Sequence, residues 1–302
     1  MLTILLLASA PIAVAVIVAI GVRLINLPPL PRIGAPASWL TAAAGGIPAL
    51  TMAALVWFPF VIPPLGFFDL DVRSMAPLML GVAAVILLAI PPTSRHRGAV
   101  AQVSRRTIMS FVSVRWIITS LAVAAIIVAL SVAAGNASGL DEDGRYTIYT
   151  ISIGTTGTEM GTGIYGWHYS VPALAGVTVL LVATAGAWAL LPRPAWSDDI
   201  THDSAVRRLR ASNIGRAACG ALLIHLAVVL RSLAGTASLI GSTTTTELGA
   251  VSVTPPFAAL GPTLDWCGVI ALTAGLAMWI VIALTAIPSP VRQPAAVTAS
   301  AS

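Results

Sequence analysis

WIITSLAVAAIIVALSVAA, residues 116–134, is a run of 19 residues without one charged side chain. At a rise of about 1.5 Å per residue, a helix of that length spans about 28 Å, close to the roughly 30 Å thickness of a bilayer's hydrocarbon core. Its flanks differ in charge. SRRTIMSFVSVR (104–115) on one side carries Arg105, Arg106 and Arg115, whereas the polar stretch on the other carries Asp141, Glu142 and Asp143 against a single Arg145. Arginine is enriched on the cytoplasmic side of spans. The run therefore reads as a membrane helix that enters from inside and leaves outside.

The rest of the chain repeats the pattern. Over 302 residues, 57% are hydrophobic and only 9% charged, and the mean hydropathy is +0.94, far from the roughly one-quarter charged residues of a soluble domain. Runs of about 20 apolar residues fall near 2–22, 38–62, 74–90, 116–134, 170–191, 214–238 and 263–287, which predicts about seven spans. Ser74 and Pro77 read as the start of the third and Pro91-Pro92 as its stop. The fold expected is all-α, a polytopic transmembrane bundle occupying 1–288, with 289–302 a disordered cytoplasmic tail. Arg23, Arg32, Arg95, Arg97, Arg105, Arg106, Arg115, Arg193, Arg207, Arg208, Arg210 and Arg292 share one side of this scheme and only Arg73 and Arg145 the other. That imbalance sets the N-terminus outside and the C-terminus inside. The N-terminal run lacks a positive leader and has Pro11 after its LASA stretch, so it is expected to be a retained helix rather than a signal peptide. Trp39, Trp57, Trp116, Trp188 and Trp266 fall near predicted helix ends, as an interfacial belt requires.

The basic charge lies in short segments rather than in a stripe that could track nucleic acid. Arg95, Arg97, Arg105 and Arg106 in one inner loop, and Arg207, Arg208 and Arg210 in the next, are expected to form a cytoplasmic basic surface against anionic headgroups or a protein partner. The second of these loops, 192–213, is expected to extend the sixth span as a short solvated helix. All 16 basic residues are arginine. Without lysine the chain has no Schiff-base lysine and no P-loop lysine.

Outside, residues 135–169 make the one long loop. RYTIYTISI is rich in β-branched and aromatic residues, and GTTGTEMGTG supplies turn residues before IYGWHY, predicting a small β-hairpin-like cap over the outer mouth of the bundle. The glycines Gly154, Gly157, Gly161 and Gly163 lack the spacing and the following helix of a dinucleotide fingerprint. Read as a cap, the loop offers Glu159, Tyr165, Trp167, His168 and Tyr169 as ligand-contacting candidates, with His168 expected mainly as an interfacial anchor.

Inside the spans, ionisable groups draw functional suspicion because their desolvation must be compensated. His225, Arg231 and Asp265 are the candidates. The helical rise puts Arg231 and Asp265 at similar depth near the outer ends of spans six and seven, predicting an ion pair between them. His225 is expected near mid-bilayer, hydrogen-bonded to a neighbouring hydroxyl or carbonyl. Gly45-Gly46-Ile47-Pro48 is expected to break the second span and allow close packing or a hinge. Cys219 and Cys267 fall near opposite faces and are expected unpaired, as small core residues. No metal-ligand spacing, cofactor motif or catalytic constellation emerges, so no metal, cofactor or enzyme activity is expected.

SRRTIMSFVSVRW (104–116) followed by YGWHYSVPAL (165–174) resembles a pattern in uncharacterised multi-pass membrane proteins of high-GC Gram-positive bacteria. That resemblance implies the cell membrane and brings no activity with it. Two functions fit the pattern: a transport or permease-type subunit working with a separate ATPase or ion gradient, and a signalling or scaffold protein that senses through 135–169 and docks a regulator on its arginine loops. The orientation is testable directly. In a Cys219→Ser/Cys267→Ser background, a cysteine at position 157 is expected to label from outside intact cells and one at position 105 only after permeabilisation; external labelling at 105 would overturn the topology.

Overall fold

The computed structural model describes residues 2–25, 31, 33–61, 70–91, 107–153, 158–192, 200–245 and 249–287. They form helices α1 (Leu2–Ile25), α2 (Ala35–Val61), α3 (Leu70–Ala89), α4 (Val114–Asn136), α5 (Trp167–Ala189), α6 (Ile200–Ala237) and α7 (Gly261–Thr285), with short strands β1 (Gly139–Leu140), β2 (Tyr146–Ile153), β3 (Thr158–Gly163), β4 (Gly241–Thr245) and β5 (Gly249–Val253). Six of the helices, α2 to α7, are long and apolar enough to cross a membrane, and Ser9–Ile25 of α1 is a shorter apolar helix. The chain is a multi-pass integral membrane protein.

Helix α6 is the hub. Its spanning stretch is 72% buried, against 50% for α7 and 33–39% for α2 to α5. It packs on α7, α3, α4 and α5, while α1 and α2 lie against α7. Between two apolar helices in lipid the hydrophobic effect supplies little attraction, so close packing through small residues has to. A Cβ on Gly275 would sit 2.7 Å from the Gly220 carbonyl and 2.6 Å from Ile224, and one on Gly220 would sit 2.8 Å from the Trp279 indole. The two glycines let α6 and α7 meet backbone to backbone. Gly45 does the same for α2 on α7, where an added Cβ would collide with the Trp279 carbonyl and the Ala283 amide. The Gly-Gly-Ile-Pro stretch does not break α2, which runs unbroken from Ala35 to Val61; packing is its use.

The two ends of the bundle are chemically unlike. At one end, the N-terminal half of α6 carries a buried polar row: Asp203, Arg207, Arg210, Asn213 and Arg216, each 9% exposed or less. Arg207 Nε donates to Asp203 Oδ2 at 2.9 Å, one helical turn away, and its Nη1 donates to the carbonyl of Leu191 just past the end of α5. Arg210 Nη2 donates to the carbonyls of Leu88, at 2.7 Å, and of Ile90, at the end of α3. Asn213 Nδ2 donates to Thr285 Oγ1 at 2.8 Å in the last turn of α7, and Arg23 of α1 donates to the carbonyl of Ile287. The last carbonyls of a helix have no intrahelical partner, and in hydrocarbon each would cost several kcal/mol. Here α6 answers them with cations that also suit the negative ends of the helix dipoles.

This arrangement corrects two expectations. Arg207 and Arg210 are not part of a solvated cytoplasmic surface; the carbonyl ends of α3 and α5 draw both inward, and of the three only Arg208 is exposed. The segment leading into the sixth span is a continuous part of a 38-residue helix with its polar side buried. Arg95, Arg97, Arg105 and Arg106 lie outside the described residues, as does the tail 289–302. The tryptophans divide as well. Trp39 and Trp266 are 76% and 69% exposed, but Trp188 turns inward and donates Nε1 to the Ala211 carbonyl at 3.1 Å, and Trp116 lies against Gly215 of α6. The side chain of Trp57 is not among those described.

At the opposite end, β1, β2 and β3 form an antiparallel sheet, with Ile148 opposite Gly163 and Ser152 opposite Glu159. Asp141 starts it: its carboxylate accepts from Thr147 Oγ1 at 2.6 Å and from the Arg145 amide at 2.7 Å around a turn in which Gly144 has φ +75°. Those donors, Thr147 first, hold the Asp141 carboxyl below its ordinary value. Within 135–169, β2 and β3 pair as an antiparallel hairpin, while Gly154 and Gly157 lie outside the described residues. Gly161 and Gly163 are strand residues of β3, and the Trp167–Tyr169 aromatics already form the first turn of α5. A second hairpin, β4 with β5, was not foreseen. It stands beside the first, with Phe257 edge-on to Tyr149 at 5.7 Å and Gly241 under Met160.

Candidate functional site

Where α3, α5 and α6 meet at the hairpin end, a polar group is enclosed. His225 of α6 is fully buried. Its Nδ1 is 2.8 Å from the Ser74 carbonyl of α3, and its Nε2 is 3.4 Å from the Tyr165 hydroxyl in the segment between β3 and α5. Because α3 begins at Leu70 rather than at the expected Ser74, Ser74 lies within the helix. The Ser74 carbonyl has a second lone pair, and the imidazole takes it.

The donor assignment follows from the acceptor. A carbonyl only accepts, so His225 carries its proton on Nδ1, and the neutral ring presents Nε2 as an acceptor to the Tyr165 hydroxyl. Tyr165 is itself fully buried, which pushes its phenol above the usual range and keeps it a donor. The same hydroxyl is 3.5 Å from the Tyr169 carbonyl. Its one proton serves His225 or that carbonyl, never both together. His225 is thus nearer the hairpin end than a mid-bilayer position, being level with the entry turns of α3 and α5.

Aromatic rings carry this pocket outward. Tyr165 stacks on Tyr169 with centroids 5.9 Å apart, and His168 stands edge-on to Tyr169 at 5.0 Å. His168 Nε2 is 3.1 Å from Asp71 Oδ1, the histidine about one-third and the aspartate about half exposed. His168 is therefore more than an interfacial anchor: it ties the first turn of α5 to the first turn of α3. Nothing in the sequence pairs Asp71 with His168 at a separation of 97 residues, and only the packing of α3 on α5 reveals it.

The other cap candidates separate. Trp167 lies flat over Gly135, where a Cβ would sit 2.5 Å from the indole, and so packs on the end of α4. Glu159 is exposed on β3, opposite Ser152. The expected pair of spans six and seven is formed, with Arg231 Nε 3.3 Å from Asp265 Oδ1, but both side chains are about half exposed. Gly268 makes room for it, since a Cβ there would meet the Arg231 stem at 2.7 Å. The pair is therefore a flank contact between α6 and α7 rather than a buried charge.

Among the described residues, no group of three or more His, Cys, Asp or Glu could hold a metal ion. Cys219 is buried against Ser120 Oγ at 3.2 Å, whereas Cys267, expected in the core, is exposed; both are free. No protein family, curated protein or solved structure matched the chain.

The flank pair gives a charge-reversal test. Arg231→Asp or Asp265→Arg alone is expected to lower the thermal stability of the detergent-solubilised protein by about 0.5–1 kcal/mol, with the double reversal recovering most of it. Equal losses in single and double variants would show that the two side chains do not act as a pair.

Proposed function

We propose that the chain resides in the cell membrane with its arginine end cytoplasmic and its hairpins outside, and serves there as a permease-type subunit working with a separate partner. The observation that carries this reading is the enclosed His225. An ionisable group inside a membrane bundle is costly and marks a functional position by default, and this one is held by single contacts from two other elements, the Ser74 carbonyl and the Tyr165 hydroxyl. A rearrangement of α3 or α5 against α6 would have to exchange those partners. Such an exchange is the kind of step an alternating bundle needs. Cytoplasmic placement of the arginine end follows from arginine bias, supported by Arg23, Arg115, Arg208 and the α6 row all falling at one end.

A second reading is a sensor or scaffold, which takes its ligand on the outer loop 135–169 and docks a regulator through its arginine loops. It is favoured by the contact of Gly241 in β4 with Met160 in β3, which joins two hairpins into one surface. Affinity purification from native membranes separates the two. Recovery of an ATPase with the chain is expected on the permease reading. Recovery of a transcription or signalling regulator instead would overturn that reading in favour of the sensor.

A further inference from the structure

Both ring nitrogens of His225 are committed, and the commitment fits one charge state. Nδ1–H donates to the Ser74 carbonyl, and Nε2 accepts from the Tyr165 hydroxyl. A second proton would have to join Nε2, where it meets the hydrogen of that hydroxyl. Tyr165 has another acceptor to turn to, the Tyr169 carbonyl at 3.5 Å, so hydrogen bonding alone does not bar the cation. Charge does.

The titratable groups on the elements around the ring leave a second proton unanswered. Helix α3 carries Asp71 and Arg73, α5 carries His168 and Tyr169, and α7 carries Asp265. Asp71 is engaged by His168 at 3.1 Å, and Asp265 by Arg231 of α6 at 3.3 Å. Arg73, next to Ser74, and Arg115, in the first turn of α4, are themselves cations. Among the described residues no carboxylate bonds to His225. The ring and the Tyr165 side chain over it are both fully buried, and a buried charge without a partner is far costlier than one in water. The enclosed imidazole is therefore neutral.

Water reaches the ring only when its cover, the Tyr165 segment and the entry turn of α3, moves away. An imidazole in water is half protonated near pH 6.5. We propose that His225 is a proton-binding site of the open bundle: the closed hairpin end encloses it only without its second proton, so separating the entry turns of α3 and α5 takes up one proton from outside. Because the open form alone binds that proton, the equilibrium for opening grows as pH falls, by about tenfold between about pH 7.5 and about pH 5.5. Protonation of His168 acts in the opposite sense, since the added charge tightens its hold on Asp71 across the same two turns. The sign of the pH response thus separates the two histidines. The inference rests on the enclosure of His225 and on neither the permease nor the sensor reading, so its failure would leave both standing.

Hydrogen–deuterium exchange of the full chain in lipid nanodiscs tests it, read on peptides covering 70–76 and 165–171 and corrected for the intrinsic pH dependence of amide exchange. In a His168→Gln background, opening is expected to rise about tenfold from about pH 7.5 to about pH 5.5. Adding His225→Gln, which keeps an amide donor and acceptor but does not titrate, is expected to flatten that response; His225→Asn takes its place where the longer amide does not fold. Tyr165→Phe removes the hydroxyl and is expected to raise opening at both pH values while keeping the tenfold ratio. A flat or falling profile in the His168→Gln protein would overturn the proton site, and so would an undiminished rise once His225 is replaced.

Discussion

The last carbonyls of a helix have no intrahelical partner, and the organisation of this bundle depends on how they are answered. Helix α6 supplies the donors. Arg210 reaches the end of α3, Arg207 the end of α5, and Asn213 the last turn of α7. The two arginine contacts satisfy carbonyls that are costly to leave unpaired when buried and set a positive charge at the negative end of a dipole, while Asn213 holds the Thr285 hydroxyl. The arginine contacts also fix register, since an arginine one turn higher or lower would miss its carbonyl. Three neighbours, α3, α5 and α7, end against the N-terminal half of α6.

At the other end, the constraint is enclosure. The entry turns of α3 and α5 are joined by Asp71 and His168, the two hairpins stand side by side above them, and beneath lies His225 between a helix carbonyl and a tyrosine hydroxyl. Buried polar groups of this kind are stable only when every partner is in place. One end of the molecule is thus held by arginine donors on helix-end carbonyls, and the other by the carboxylates Asp71 and Asp141 together with the neutral contacts around His225.

Much of the bundle was legible in the sequence because a bilayer demands about 20 apolar residues per span and little else produces such runs. The runs at 116–134 and 263–287 correspond closely to α4 and α7, and the strand propensity of RYTIYTISI placed β2. The depth rule brought Arg231 and Asp265 together because helical rise alone fixes it. What was not legible needed three-dimensional packing. The arginines Arg207 and Arg210 look in sequence like an exposed basic cluster, and only the positions of the α3 and α5 ends turn them inward. The i, i+4 spacing of Asp203 and Arg207 was the available signal for that burial. Asp71 with His168, and Ser74 with His225, join residues about 100 or more apart through a backbone atom or a half-exposed side chain, for which sequence spacing has no signature. The second hairpin, in GSTTT and GAVSV, is short and small-residued, and its strand character comes from mutual pairing rather than from propensity.

The dependence of the bundle on α6 is tested most directly by the unfolding of Arg210→Met beside Arg208→Met in the same detergent. Methionine keeps an unbranched apolar stem and removes the donors, leaving the Leu88 and Ile90 carbonyls unanswered at about 1–3 kcal/mol each. Arg210→Met is expected to lose about 2–6 kcal/mol of stability on that basis, with Arg208→Met, at the exposed position close by in α6, within about 0.5 kcal/mol of the parent. Equal stability of the two variants would contradict the central place given to the capping arginines.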